Sequence, residues 1–219
     1  MRILVFDTET TGLPTERNPS IMDTEKWPHI IQLSFIVYDT NEMNVVTCKD
    51  HIIKLDASVE ISQESINIHG ITRSQCMRKG IPIEDALNEF NDALRNADWA
   101  VGHNISFDKR MIMAESNRIK TRQYFTRGNG TGIKEYCTMK HAVDLCKIEA
   151  VGRNGETYYK YPKLEELHQH LFGNFPNGTH DSMGDVLICL RCYGWMVHNH
   201  DIAKSGSATL RNLYKRYCN

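Results

Sequence analysis

Two acids near the start of the chain, Asp7 and Glu9, stand at i and i+2. The apolar run Ile3-Leu4-Val5-Phe6 just before them predicts a strand, so both side chains project to the same side of a sheet from adjacent pleats. Carboxylates placed like this beside apolar neighbours repel one another and lose hydration, a cost that cations or hydrogen bonds must offset. Hard oxygen ligands of this kind suit Mg²⁺ or Mn²⁺ rather than a thiolate-bound metal. Taken alone, the pair is as readily a solvated strand end or a helix-capping acid. Further along, Asp108 lies at the start of a helix predicted over 106–118, and His180 and Asp185 stand five positions apart at the start of another, from about Asp181 to His198. An imidazole titrates near neutrality and can take a proton from a water molecule beside a cation.

Three stretches carry these residues in order: Phe6-Asp7-Thr8-Glu9-Thr10-Thr11-Gly12-Leu13, Val101-Gly102-His103-Asn104-Ile105-Ser106-Phe107-Asp108, and His180-Asp181-Ser182-Met183-Gly184-Asp185. Together they closely resemble the motifs of the DnaQ-like 3′→5′ exonucleases of the RNase H-like superfamily. His180 is what the histidine (DEDDh) subclass has; the tyrosine subclass would carry Tyr four residues before the last acid, where this chain has Asp181. The similarity runs from residue 2 to about 194 and includes Ile68-His69-Gly70-Ile71-Thr72, a loop ahead of the second motif, and Lys163-Leu164-Glu165-Glu166-Leu167. Two departures, Cys137-Thr138 where the family often has Asp-Thr and a longer stretch from 148 to 161, bear on subfamily and substrate rather than on the expected ligands.

The resemblance implies one exonuclease domain over 1–219, with motifs at 6–13, 101–108 and 180–185 and a helical tail over about 201–219. It implies an α/β, RNase H-like fold with a mixed five-stranded sheet flanked by helices. It implies two Mg²⁺ ions, for which Mn²⁺ can substitute, with Asp7 bridging both, Glu9 and Asp185 completing the site of the attacking water, and Asp108 helping to hold the second ion through water. His180 is then the general base. The substrate is the 3′ end of single-stranded DNA or RNA, released as nucleoside 5′-monophosphates. Thr10 and Thr11 would hold the terminal nucleotide and Leu13 would wedge against its base. His103 and Phe107 would stack on or pack against bases, a sequence-tolerant contact, and Asn104 would bond a sugar or phosphate. His69 resembles the family's loop histidine near the terminal nucleotide, although a structural role fits it nearly as well. A DNA enzyme of proofreading or repair type, alone or with a polymerase or replication assembly, is the leading reading. RNA trimming or oligoribonucleotide degradation is the alternative. A catalytically silent nucleic-acid-binding module is a remote third, opposed by the filling of all five catalytic positions.

The elements that must position these residues are legible as alternating patterns. Strands are expected over 2–7, 30–38, about 45–54, 99–101 and 134–138. Helices are expected over 82–97, where Ile83, Ala86, Leu87, Phe90, Ala93 and Leu94 recur at helical spacing, and over 106–118, 139–147, 163–173, 181–198 and 207–217. Gly152-Arg153-Asn154-Gly155 is a turn signal flanked by residues able to form a small hairpin. No repeat or low-complexity tract appears, so a solenoid or array reading gets no support.

The 219 residues are 41% hydrophobic and 24% charged, a globular composition. The net charge of −1 argues against a protein that grips long duplex DNA chiefly by neutralising phosphate. Met1 to Phe6 is too short for a signal-peptide core or a membrane span. Seven scattered cysteines form no disulfide framework, so an intracellular, cytoplasmic or nuclear, location without membrane association is expected. Cys189 and Cys192 fall within one continuous helix, which argues against a zinc site.

Overall fold

The computed structural model describes residues 1–126 and 130–218. In chain order the elements are β1 (Arg2–Thr10), β2 (Ile30–Asp39), β3 (Asn44–Ile52), α1 (Gln63–His69), α2 (Arg73–Lys79), α3 (Ile83–Arg95), β4 (Trp99–Gly102), α4 (Ile105–Arg118) and β5 (Lys134–Cys137). There follow α5 (Thr138–His141), α6 (Val143–Cys146), the two short strands β6 (Glu149–Val151) and β7 (Thr157–Tyr159), α7 (Leu164–Phe172), α8 (Ser182–His198), α9 (Ile202–Ser205) and α10 (Ala208–Tyr217). The main sheet has the order β3-β2-β1-β4-β5. Its first three strands form an antiparallel meander, and β4 and β5 run parallel to β1. This is the mixed five-stranded sheet flanked by helices that the sequence predicts.

Helices cover both faces, which is why β2, Ile-Ile-Gln-Leu-Ser-Phe-Ile-Val-Tyr-Asp, is buried along almost its whole length rather than alternating. On one face Leu4 and Phe6 of β1 pack with Phe35, Phe90 and Phe125; the Phe6 and Phe90 rings meet edge to face at 5.2 Å. On the other, Ile3 and Val5 pack against Val186, Leu187 and Leu190 of α8. Asp7 and Glu9 continue the row of Ile3 and Val5, so the strand's two-residue period aims them at the start of α8.

Two helices are absent from the sequence-based assignment. The stretch Ile68 to Thr72, expected as a loop, instead contains the end of α1 and the N-cap of α2, and His69 is the last residue of a helix. These helices are short and bury little, so they lack an apolar stripe, and their caps hold them instead. Ser62 Oγ accepts from Ser65 N at the start of α1, and Thr72 and Gln75 form a capping box on α2. The single helix expected over 139–147 is two turns, divided at Ala142. The hairpin expected beyond residue 148 is present as β6 and β7. Among the described residues no helix is long and apolar enough to cross a membrane.

Candidate active site

At the end of β1, oxygen atoms of Asp7, Glu9 and Asp185 all lie within 4.8 Å of one another. Asp185 is in the first turn of α8, whose start is pinned to β1 because Ser182 Oγ donates to the Asp7 carbonyl at 2.7 Å. The N-cap of α8 is Asp181, whose Oδ1 accepts from Gly184 N at 3.1 Å. Asp108, in the first turn of α4, is buried, and its Oδ1 accepts from both the hydroxyl and the N–H of Thr8, at 2.7 and 3.1 Å. It stands outside the three-oxygen group, yet its charge is felt by all three of its members.

Burial pushes all four carboxyls upward. Asp7 is raised well above the usual carboxylate range by burial and then by Asp108, Asp185 and Glu9. Glu9 is raised to about 8 by burial, then by Asp185, Asp108 and Asp181. Asp108 reaches about 7 through burial, against the opposing hydrogen bonds from Thr8. Asp185 reaches about 7 through burial, opposed by the His180 N–H, with Asp181, Asp108 and Glu165 adding to the rise. Among the described residues no lysine or arginine forms an ion pair with any of the four. Buried acids without a protein cation fit divalent metal well: the donors are hard oxygens, and a cation offsets their mutual repulsion.

The sign of this linkage gives an expected result. A carboxyl whose folded pKa is raised favours folding below its unfolded pKa, and that contribution is lost as pH rises through the folded value. Metal-free protein should therefore lose thermal stability as pH climbs from about 4, the ordinary carboxylate range, to about 8 for Glu9. Mg²⁺ should restore it most at the alkaline end, with protons released on binding. Differential scanning fluorimetry across this range, with EDTA or Mg²⁺, checks it; a Mg²⁺-induced shift that does not grow with pH would contradict it.

His180 lies at the edge of this cluster. Its N–H donates to Asp185 Oδ2 at 3.2 Å, its backbone is left-handed at φ +67°, and its side chain is exposed. The loop that carries it is wedged between two helices. At Gly178 (φ +82°) an added Cβ would collide with the Tyr217 carbonyl at the end of α10, and at Gly184 it would collide with the Gly178 carbonyl.

Beside the carboxylates a cleft of about 700 Å³ opens. Its floor includes Glu9, its walls come from the segment after β1, from Trp27 and Pro28, and from Ser62 to His69. Arg118 fixes the Trp27 wall by donating to the carbonyls of Thr24 and Trp27 at 2.7 and 2.9 Å, and Glu115 accepts from Ile30 N at 3.0 Å. Thr10, Thr11, Leu13, His69 and Phe107 line the cleft, and Leu13 is 81% exposed. The threonine hydroxyls face inward: Thr10 Oγ1 donates to the Gly12 carbonyl at 2.7 Å and Thr11 Oγ1 accepts from His29 N at 2.9 Å. They shape the turn that presents Leu13. His69 Nδ1 accepts from Ile71 N at 3.0 Å, and burial holds its pKa down, so the ring is neutral with its proton on Nε2. Asn104 lines a smaller adjoining cavity with Phe107 and Arg110. His103 lies in neither. Its Nδ1 is bonded to Thr138 Oγ1 at 2.9 Å, its Nε2 to the Pro162 carbonyl at 3.0 Å, and burial lowers its pKa to about 4. With both ring nitrogens used, it ties the end of β4 to α5 and to the approach to α7.

The model of the RNase_T exonuclease family matches residues 4–193. The chain belongs to that exonuclease family. It is thus a DnaQ-like exonuclease with the RNase H-like fold. Among solved structures, exonuclease I in its apo form matches with a TM-score of 0.64 and 17% identity over 98% of this chain and 44% of that one. E. coli exonuclease I in complex with a dA16 oligonucleotide gives a TM-score of 0.64 and 17% identity over 98% and 43%. A product-bound exonuclease I gives 0.64 and 16% over 98% and 46%. At such identity the likeness is one of fold, and the chain spans less than half the length of these proteins. No curated protein matches the sequence.

This exonuclease also holds its site through residues that sequence reasoning missed. Gln32, buried on β2, accepts from Ser182 N at 3.2 Å through Oε1 and donates through Nε2 to Asp50 at 2.9 Å and Asp181 at 3.3 Å. Asp50 also accepts from Ser34 Oγ at 2.9 Å and Tyr217 OH at 3.0 Å. The network joins α10, the meander and the first turn of α8. A Gln within an apolar run was its one sequence signal. Gln32→Leu leaves the Ser182 N–H without its acceptor and takes one donor each from Asp50 and Asp181, which should cost about 1–3 kcal/mol. It should lower kcat more than it raises KM, because Asp185 rides on the turn that shifts. Thermal melts with steady-state kinetics check this, and an unchanged kcat would contradict it.

Proposed function

We propose that this exonuclease shortens single-stranded nucleic acid, DNA in preference to RNA, from the 3′ end and releases nucleoside 5′-monophosphates. The observation that carries the reading is the cluster of Asp7, Glu9 and Asp185, with Asp108 behind it and, among the described residues, no lysine or arginine paired with any of the four. Exonuclease I, which shares the fold, has been captured with a dA16 oligonucleotide, which supports a single-stranded DNA substrate here. The tail belongs with the catalytic unit, since Tyr217 of α10 bonds Asp50 and its carbonyl backs the His180 loop.

Asp7, Glu9 and Asp185 would hold divalent cations, with Asp108 assisting through its second oxygen while Thr8 fixes the first. A pair of such ions supplies Lewis-acid activation of water and neutralises charge on the leaving oxygen. His180 takes the proton of the attacking water and, being exposed, passes it to solvent. The water oxygen bonds to phosphorus as the bond from phosphorus to the 3′ oxygen of the preceding nucleotide breaks, so the phosphate leaves on the 5′ side of the freed nucleotide. Leu13, standing out into the cleft, separates the terminal base from its neighbour, and Phe107 and His69 border that base.

Matched DNA and RNA strands carrying a 5′ label test polarity and sugar preference together. The expected result is a ladder shortening from the 3′ end, faster on DNA, that a 3′-terminal phosphorothioate arrests. Release of the labelled 5′ nucleotide as the first product would overturn the polarity, and faster loss of the RNA would overturn the preference.

A further inference from the structure

The longer stretch between α6 and α7 folds into a hairpin whose main contacts are between its own two strands. Residues pair as Glu149 with Tyr159, Ala150 with Tyr158 and Val151 with Thr157. An isolated two-stranded hairpin has little to hold it, and burying its apolar residues would be the usual remedy. Here they face outward: Tyr158 is 54% exposed, Tyr159 45%, Tyr161 57% and Val151 72%. Among the described residues none of the three tyrosine rings stacks on another ring or beneath a cation. The segment is also basic in a chain with net charge −1, since residues 147–163 hold Lys147, Arg153, Lys160 and Lys163 against Glu149 and Glu156. Lys160 and Lys163 lie against Glu166 and Glu165, at 2.6 and 3.6 Å. Lys147 and Arg153 are exposed and form no ion pair among the described residues.

The hairpin is rooted beside the active site. Lys160 N closes its base on the Ile148 carbonyl at 2.9 Å. Two residues on, the Pro162 carbonyl takes the bond from His103, in the same motif as Asp108. Glu165 is near enough for its charge to be felt at Asp185.

The geometry points to this hairpin as an arm that binds the single strand outside the catalytic cleft, with Tyr158, Tyr159 and Tyr161 stacking on bases and Lys147 and Arg153 facing the phosphates. Exposed aromatic rings interleaved with cations suit a strand of any sequence, because every base offers a face to stack on. The inference rests on the reading of the site as a nuclease acting on single strands. Its consequence is length dependence: a long strand gains the arm's contacts, whereas a trinucleotide filling only the cleft does not.

The test compares wild type, the triple variant Tyr158→Ala, Tyr159→Ala, Tyr161→Ala, and the double variant Lys147→Gln, Arg153→Gln. Fluorescence anisotropy in EDTA reads binding of a long labelled DNA strand without cleavage, and kcat/KM in Mg²⁺ is read on that strand and on a trinucleotide. The triple variant should bind the long strand at least about tenfold more weakly, from the stacking of one base or more, with kcat/KM on the trinucleotide unchanged. The double variant, which leaves the hairpin's rings in place, should show a shallower salt dependence of binding. Wild-type affinity for the long strand in both variants would overturn the proposal and leave the tyrosines to a protein partner. An equal loss on long and short substrates would also overturn it. If wild type cleaved neither substrate, the catalytic reading would fail, while the anisotropy would still decide for or against the arm.

Discussion

Asp7→Asn is expected to abolish nucleotide release and, without metal, to melt at a higher temperature than wild type. Both effects come from one charge. Asp7 sits at the centre of the acidic group and is raised by burial, Asp108, Asp185 and Glu9 together, so in the metal-free protein its ionised form opposes folding. The amide keeps the shape and removes that charge, for a gain of about 0.5–2 kcal/mol, or about 1–8 °C in a chain of this size. The gain should grow as pH rises from about 4, the ordinary carboxylate range, towards 8, and should vanish below that range, where folded and unfolded wild type both carry the proton. Saturating Mg²⁺ should reverse the order, since wild type gains by binding and the variant loses a shared ligand. Calorimetry with and without Mg²⁺ checks the inversion. A variant less stable than wild type in EDTA at pH 8 would mean that the carboxylate serves the fold rather than a cation.

The second large effect is expected at His180. Removing the imidazole should lower kcat by about 10²–10⁴-fold, the usual contribution of a general base, with KM and the Mg²⁺-induced rise in melting temperature little changed. The substitution to use is His180→Asn. Residue 180 is left-handed, at φ +67°, a region Asn enters more easily than Ala, so the N–H that supports Asp185 stays in place. Because the ring is exposed, added imidazole should reach the gap and restore part of the rate. An Asn variant with wild-type kcat would remove His180 from the chemistry.

What could be read from the sequence divides along physical lines. The row Ile3, Val5, Asp7, Glu9 was legible because a strand's period is two and the acids follow directly on the apolar run. Asp108 and Asp185 were legible because each opens a helix after a recognisable stretch. The roles of Gln32, Asp50 and Tyr217 were not, since they depend on pairings between β2, β3 and two C-terminal helices that no local pattern encodes. Helices α1 and α2 escaped because capping, not an apolar stripe, defines them. For His103, Thr10 and Thr11, motif position does not tell which way a polar group turns. Here the nearest acceptors and donors, Pro162, Thr138, Gly12 and His29, lie within the protein.

The most direct test of the central claim, hydrolysis at a cation site built from Asp7, Glu9 and Asp185, is a single time course on 5′-labelled single-stranded DNA. Wild type and Asp7→Asn are run side by side in EDTA, and again after excess Mg²⁺ is added. The account predicts intact strand in EDTA, a 3′-shortening ladder for wild type once Mg²⁺ is present, and no ladder for the variant. Shortening by wild type in EDTA, or equal shortening by Asp7→Asn in Mg²⁺, would contradict it.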